Sequence, residues 1–189
     1  MQNSDPLSLT LRNNIVRINY DGSIDDTFGY GNGMNFSPEN IVLTISAKDD
    51  RCIFVGGKFL GYETYHRNNA VRMDYNGKTL STVYSFHGPN NIIYSITNDR
   101  NDNIFIGGGF TKYNDITKNH LTKLTSDGLL NSDFSANVNY TVRSIALMSD
   151  DKVIIGGDFS TVNSKSYSKI ARLHQNGSLD TNFRVGTGF

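Results

Sequence analysis

The sequence predicts an all-β fold, a propeller-like arc of about three and a half four-stranded antiparallel blades, and three observations carry that prediction. The first is a recurring landmark: Ile53-Phe54-Val55-Gly56-Gly57, Ile104-Phe105-Ile106-Gly107-Gly108 and Val153-Ile154-Ile155-Gly156-Gly157, each followed two residues on by Phe59, Phe110 or Phe159. The first glycines fall at 56, 107 and 156, so the spacing is 51 and then 49 residues. The second is a landmark present four times at fixed phase, Val16-Arg17-Ile18-Asn19-Tyr20-Asp21-Gly22, Val71-Arg72-Met73-Asp74-Tyr75-Asn76-Gly77, Thr122-Lys123-Leu124-Thr125-Ser126-Asp127-Gly128 and Ala171-Arg172-Leu173-His174-Gln175-Asn176-Gly177. The third is an alternating run ahead of each double glycine, in which Ile45, Ile96 and Ile145 each stand eleven residues before the first glycine. Repeats of this length with strand patterning are copies of one small β unit, which buries its apolar face only against a neighbour.

Each unit reads as four short strands, a to d. In the last copy, a covers about 141–147, b 152–157, c 169–174 and d 178–183. The a–b connections are tight and acidic, as in Asp49-Asp50-Arg51, Arg100-Asn101-Asp102-Asn103 and Asp150-Asp151-Lys152. The c–d connections carry Asp-Gly or Asn-Gly, which predicts a type I′ hairpin turn. Strand b is apolar at consecutive positions, as a strand covered on both faces is, whereas strand c alternates. A small sheet with a doubly buried inner strand suits a propeller blade. The units divide as a partial blade 1–36 and blades 37–87, 88–136 and 137–189, within one domain because no proline-rich or charge-rich linker breaks the period.

Composition agrees. There are 16 Asp against 2 Glu, 23 Asn and 18 Gly, residues that favour turns over helix interiors. Formal net charge is zero, which gives no electrostatic reason to expect nucleic acid. No stretch approaches the length of a membrane span, and residues 1–10 lack the apolar core of a signal peptide. Cys52 has no partner in the chain and reads as a small strand hydrophobe.

The pattern of an isoleucine-rich strand, Gly-Gly-x-Phe, a loop, Arg-Leu-x-x-Asp-Gly-Ser-Leu-Asp and a closing Phe resembles the delta-60 repeat, a β-propeller-like repeat of bacterial and phage proteins. Ile170-Ala171-Arg172-Leu173-His174-Gln175-Asn176-Gly177-Ser178-Leu179-Asp180-Thr181-Asn182-Phe183 matches best, and Lys78-Thr79-Leu80 departs most. The resemblance implies an architecture and brings no catalytic residues with it.

The recurring residues read as structural. Gly56, Gly57, Gly107, Gly108, Gly156 and Gly157 end a doubly buried strand, where a missing side chain permits a bulge or close approach by other backbone. Arg17, Arg72, Lys123 and Arg172 recur on strand c, and Asp25 and Asp180 lie eight residues past two of them, which predicts an Arg–Asp bridge tying strand d to strand c. The acidic turns lack the alternating carboxylate loop of a strong calcium site, and His66, His87, His120 and His174 show no paired metal spacing, so no metal and no cofactor are expected. Gly107-Gly108-Gly109 precedes no helix and makes no phosphate cradle, and no nucleophile elbow is present, so no catalytic residues are assigned.

In an up-and-down blade the b–c loops and d–a crossovers share one end. That end is rich in tyrosine and asparagine, which supply flat contact area and adaptable hydrogen bonds. It defines a candidate binding face of Tyr30, Asn35, Tyr62, Tyr65, His66, His87, Asn90, Tyr113, Asn114, Tyr140, Asn163 and Tyr167. Two function classes follow. One is a non-enzymatic structural or protein-interaction module, in a phage virion such as a tail or baseplate, or on a bacterial surface, with a virion or extracellular setting favoured over the cytoplasm. The other is a carbohydrate-binding propeller that stacks a glycan on the loop tyrosines. The sequence starts and stops inside a repeat, so a protein partner, self-association or a longer parent chain is expected to cover the open edges.

Overall fold

The computed structural model describes residues 14–28, 40–48, 52–60, 68–80 and 88–184. Its strands are β1 (Ile41–Lys48), β2 (Cys52–Lys58), β3 (Ala70–Met73), β4 (Ile93–Asn98), β5 (Ile104–Gly108), β6 (Lys112–Tyr113), β7 (Ile116–Thr117), β8 (Leu121–Leu124), β9 (Val142–Leu147), β10 (Val153–Gly157), β11 (Thr161–Val162), β12 (Lys165–Ser166) and β13 (Ile170–Leu173). They form three three-stranded antiparallel sheets, β1-β2-β3, β4-β5-β8 and β9-β10-β13, each with its double-glycine strand in the middle. No helix occurs among the described residues. Small hairpins β6–β7 and β11–β12 sit inside two b–c connections, where no strand was expected.

The expected fourth strand is cut short. Segment d meets strand c through a single bridge in every copy, Ile18 with Ile24, Met73 with Thr79, Leu124 with Leu130 and Leu173 with Leu179. In three of the four copies the cause is the next residue. Asp25 accepts the Thr27 N–H at 2.9 Å and its carbonyl accepts the Phe28 N–H at 3.2 Å; Asp180 does the same with Asn182 and Phe183, and Asn131 with Asp133 and Phe134. This Asx turn bends the chain away from the ladder after one pairing.

The c–d turn also differs from expectation. Only the glycine has positive φ, Gly22 at 85°, Gly77 at 82°, Gly128 at 84° and Gly177 at 88°. The Gly22 N–H donates to the Asn19 carbonyl at 3.0 Å and the Asn19 N–H to the Ser23 carbonyl at 2.8 Å, a type I turn followed by a glycine bulge. The two-residue turn with both central φ positive occurs instead in the small hairpins, at Asn114 and Asp115 and at Asn163 and Ser164.

The two glycines of each pair do different work. The second receives its own strand a: a Cβ on Gly57, Gly108 or Gly157 would collide with the carbonyl oxygen of Ile41, Ile92 or Thr141. Strand a bulges there, so that Leu43, Tyr94 and Arg143 fall between paired positions. The first glycine receives the next blade. A Cβ on Gly56 would lie 2.8 Å from Ile93 Cγ2 and Ile96 Cδ1, and one on Gly107 would lie 2.7 Å from Val142 Cγ1 and 3.0 Å from Ile145 Cδ1. The second and third sheets thus stack their strands a on the preceding double-glycine strand, and Phe54, Ile93, Ile96, Ile104 and Ile106 share one core while Phe105, Val142, Ile145, Val153 and Ile155 share the next. Gly107→Val should therefore cost about 1–3 kcal/mol by overpacking this joint, read as a lowered denaturation midpoint.

The recurring cations are held as structural residues. Arg17 Nε donates to Asp25 at 2.8 Å and lies over the Phe28 ring at 5.0 Å; Arg172 Nε donates to Asp180 at 2.9 Å and lies over Phe183 at 4.8 Å. Lys123, whose residue eight along is Asn131, pairs instead with Asp99 at 2.9 Å. Arg72 has Leu80 at that position, its buried Nε finds no hydrogen-bond partner among the described residues, and Asp127 stands 3.8 Å from its Nη2. Leu80 occupies the same backbone place as the aspartates, donating its N–H to the Arg72 carbonyl at 2.9 Å. Leu80→Asp is accordingly expected to stabilise the protein by roughly 1 kcal/mol at neutral pH, since a charge-assisted bond to Arg72 outweighs the loss of a half-buried leucine.

That gain has a pH signature. Hydrogen bonds from the Thr27 hydroxyl and N–H, then from Arg17, hold the Asp25 carboxyl down from 3.8 to about 2. A carboxylate lowered in the folded state stabilises it above its unfolded value and loses that effect as pH falls toward the folded one. The advantage of Leu80→Asp should fade on acidification through the same range, which unfolding curves at successive pH values would show.

Candidate interaction surface

The b–c hairpins and d–a crossovers meet at one end of the sheets through isolated bridges, Pro89 with Tyr113 and Val138 with Val162. Of the twelve residues expected to bind there, Tyr30, Asn35, Tyr62, Tyr65, His66 and His87 lie outside the described residues. Most of the others are engaged by the fold itself. Asn90 Oδ1 accepts the N–H groups of Thr111 at 2.9 Å and Lys112 at 3.0 Å, and Asn139 does the same for Ser160 and Thr161 at 2.9 Å. Asn114 Oδ1 accepts from the Gly88 N–H at 2.9 Å, and Asn163 Oδ1 from the Asn137 N–H at 2.8 Å. Tyr113 is buried and its hydroxyl donates to the Gly128 carbonyl at 2.9 Å, while Tyr167 packs half-buried against the core that holds Val142 and Ile145. Asparagine suits these places because one side chain can cap two backbone N–H groups that no strand satisfies.

Tyr140 remains open, 59% exposed, with its ring 6.2 Å from that of His120. His120 Nδ1 lies 3.3 Å from the Gly108 carbonyl, and burial holds its imidazole below the usual range, with that carbonyl partly opposing the shift. His120 keeps positive φ, at 64°, in the place where Asn14, Asn69 and Lys169 do the same before strand c.

A second group lies outside those twelve residues. The bulge residues Leu43, Tyr94 and Arg143 stand thirteen residues before the first glycines, and Lys58, Gly109 and Asp158 follow each pair. These positions differ in chemistry from blade to blade while their neighbours repeat, and that contrast is the signal that could have found them. Arg143 Nε donates to Asp158 Oδ2 at 2.9 Å, and its guanidinium lies 5.0 Å from the Tyr94 ring centroid. Hydrogen bonding to Asp158, then its charge, raises the Arg143 pKa further, and the Arg143 hydrogen bond lowers that of Asp158. An aromatic ring, a fixed guanidinium and a carboxylate are thereby held along the rim across two blades. A planar, pre-oriented cation of this kind recognises partner carboxylates and carbonyls.

Among the described residues no three His, Cys, Asp or Glu gather into a metal-holding group. A cavity of about 200 Å³ at the opposite, a–b end is lined by Asn98, Asp99, Arg100, Phe105, Leu147 and Asp151. Its charges are matched, Asp99 with Lys123 and Arg100 with Asp151 at 2.8 Å. No helix of the described residues is long and apolar enough to cross a membrane.

Residues 10–28, 100–134 and 149–183 match the model of a family described as a domain of unknown function (DUF5122) beta-propeller. The matched segments end on Phe28, Phe134 and one residue short of Arg184, at Phe183, the closing aromatic of the repeat, and they skip the copy in which Leu80 replaces the aspartate. No curated protein matches the chain. The recurring antiparallel sheets and these matches together support a propeller-like repeat family for this chain.

Proposed function

We propose that the chain is a non-enzymatic structural and protein-interaction module, an arc of four-stranded blades whose outermost strands are reduced to single bridges and whose rim engages a protein partner. The observation that carries this reading is the Arg143 guanidinium, fixed between Asp158 and the Tyr94 ring at positions where the repeat breaks its own pattern. Scaffold positions repeat because stacking demands it; positions that escape the repeat are open to selection by a partner. A virion or cell-surface setting is what the resemblance to delta-60 repeats implies, and it belongs to the same proposal.

The glycan reading rests on Tyr140, whose exposed ring is the described platform on which a sugar could stack. Paired assays separate the two. Immobilised wild-type chain and the Tyr94→Ala/Arg143→Ala variant would be exposed to extract from the native source, and retained proteins identified by mass spectrometry. A protein held by the wild type and lost by an equally stable variant is the expected result; identical retention by both overturns the rim assignment. A glycan-array signal abolished by Tyr140→Ala would favour carbohydrate binding instead.

A further inference from the structure

The joint between the first and second sheets and the joint between the second and third are built alike except at one corner, where a b–c loop meets the crossover into the next sheet. At both, the residue before strand c holds positive φ, Asn69 at 59° and His120 at 64°, and its N–H donates at 2.8 Å to a phenylalanine carbonyl, that of Phe59 or Phe110. At the second, Asn139 caps the Ser160 and Thr161 N–H groups as Asn90 caps those of Thr111 and Lys112 in the crossover before it. Tyr140 and Asn91, the residues that follow, therefore occupy matching places.

The first joint closes this corner with backbone and amides. Asn69 is buried, and its Nδ2 donates to the Pro89 carbonyl at 3.2 Å. Gly88 brings the crossover so near that a Cβ there would lie 2.8 Å from the Asn68 carbonyl oxygen, and Asn91 turns its Oδ1 to the Ile92 N–H at 2.8 Å. The second joint keeps an asparagine, Asn119, in the place of Asn68, but puts His120, Asn137 and Tyr140 where the first has Asn69, Gly88 and Asn91. Asn119 Nδ2 donates to Asn137 Oδ1 at 3.0 Å, and the His120 and Tyr140 rings lie 6.2 Å apart, tilted by 33°. Two rings thus replace a closing hydrogen bond, and more than half of the Tyr140 surface is open, at 59%.

Around that ring the polar atoms have fixed roles. His120 Nδ1 faces the Gly108 carbonyl, which only accepts, so Nδ1 carries the proton and Nε2 of the neutral imidazole presents a lone pair. The Asn119–Asn137 pair leaves Asn119 Oδ1 as an acceptor and Asn137 Nδ2 as a donor. An open aromatic face beside uncharged donors and acceptors fits a pyranose, whose C–H face is apolar and whose hydroxyls both donate and accept. We propose that the second joint binds one neutral hexopyranose unit, stacked on the Tyr140 ring, its hydroxyls donating to His120 Nε2 and Asn119 Oδ1 and accepting from Asn137 Nδ2. This rests on the carbohydrate reading given above and uses neither the Tyr94 ring nor the Arg143 guanidinium, so it stands or falls apart from the rim.

Saturation-transfer NMR on the purified chain tests it, with the methyl glycosides of glucose, galactose and mannose as probes. The comparison chain is His120→Asn/Tyr140→Asn, which installs the residues the first joint already folds with and should keep the wild-type melting temperature. Wild type should transfer saturation to the ring protons of at least one glycoside, and the double variant should bind that glycoside at least about tenfold more weakly, as loss of a stacking ring and a hydrogen bond does. No transfer from the wild type to any of the three, or equal affinity in a double variant that melts like the wild type, overturns the site. The glycan array separates the site from the reading beneath it. Array binding that Tyr140→Ala abolishes while His120→Asn and Asn137→Ala leave it unchanged keeps carbohydrate binding and refutes the site; binding weakened by all three supports it.

Discussion

Gly108→Ala is expected to be the most damaging single-methyl change in the described part of the protein, costing on the order of 4 kcal/mol, the upper end for one substitution. The added Cβ would enter the Ile92 carbonyl oxygen and lie 3.1 Å from the Ile93 Cα. Those are backbone atoms, so no rotamer change relieves the collision. Nor can the strand retreat, because the Gly109 N–H donates to the same Ile92 carbonyl at 2.9 Å and the Gly108 N–H to the His120 carbonyl at 3.0 Å. Moving Ile92 would also lift Ile93, which is fully buried against Gly56, so the strain spreads into the joint with the first blade. Gly156→Ala is the control, its Cβ meeting no described atom closer than the Lys169 carbonyl oxygen at 3.8 Å, with an expected cost within about 0.5 kcal/mol. Denaturant unfolding of both variants decides the matter: equal midpoints would mean that first and second glycines of the pairs are interchangeable, and the steric assignment would be lost.

The sheets were legible in the sequence because their determinants are steric and recur at every joint. A double glycine that must admit a carbonyl on one side and an isoleucine on the other tolerates no drift, so it marks the middle strand three times. The c–d turn was misread because Asp-Gly and Asn-Gly serve both a type I′ turn and a type I turn with a glycine bulge, and dipeptides alone do not separate them. The fourth strand was overcalled for a related reason. Asp25, Asn131 and Asp180 read as strand residues by position, yet their side chains capture the backbone two residues on and end the pairing. The hairpins β6–β7 and β11–β12 have two-residue strands, too short to show a period.

The binding face illustrates a limit of arguing from residue type. Asparagine at a loop reads as a recognition group, but Asn90, Asn114 and Asn163 are occupied in capping the backbone of their own hairpins and crossovers. Searching for what recurs finds the frame, and these asparagines recur because they belong to it. Tyr94 and Arg143 escape such a comparison for the converse reason: their chemistry is not repeated at the same position of the other units. In a repeat protein the departures from the repeat are therefore the better guide to a partner-facing surface, once a structure shows that they lie together.

Asp99→Ala should be nearly as costly as the glycine change, about 3–5 kcal/mol, because it strands a buried charge. Asp99 and Lys123 meet at 2.9 Å with side chains only 4% and 7% exposed. The carboxylate also accepts the Asn101 and Asn103 N–H groups, each at 2.9 Å, and both of its oxygens accept from the Asn103 amide, so it organises the whole a–b turn of the second blade. Lys123→Met removes the cation yet leaves those donors in place, and its aliphatic replacement still lies against the Phe105 ring that the ammonium faces at 4.9 Å. It should cost clearly less than Asp99→Ala. Acid separates the two contributions further. Burial alone would push the Asp99 carboxyl up, but hydrogen bonds from Lys123 and Asn103, then the Asn101 N–H, outweigh it and hold the group below its ordinary value. Its stabilisation is therefore present above the ordinary carboxylate range and is lost as pH falls through the lowered folded value. The wild type should lose stability over that interval more steeply than Asp99→Ala, with Lys123→Met between them. Parallel pH slopes for all three chains would show that the pair is not ionised in the fold.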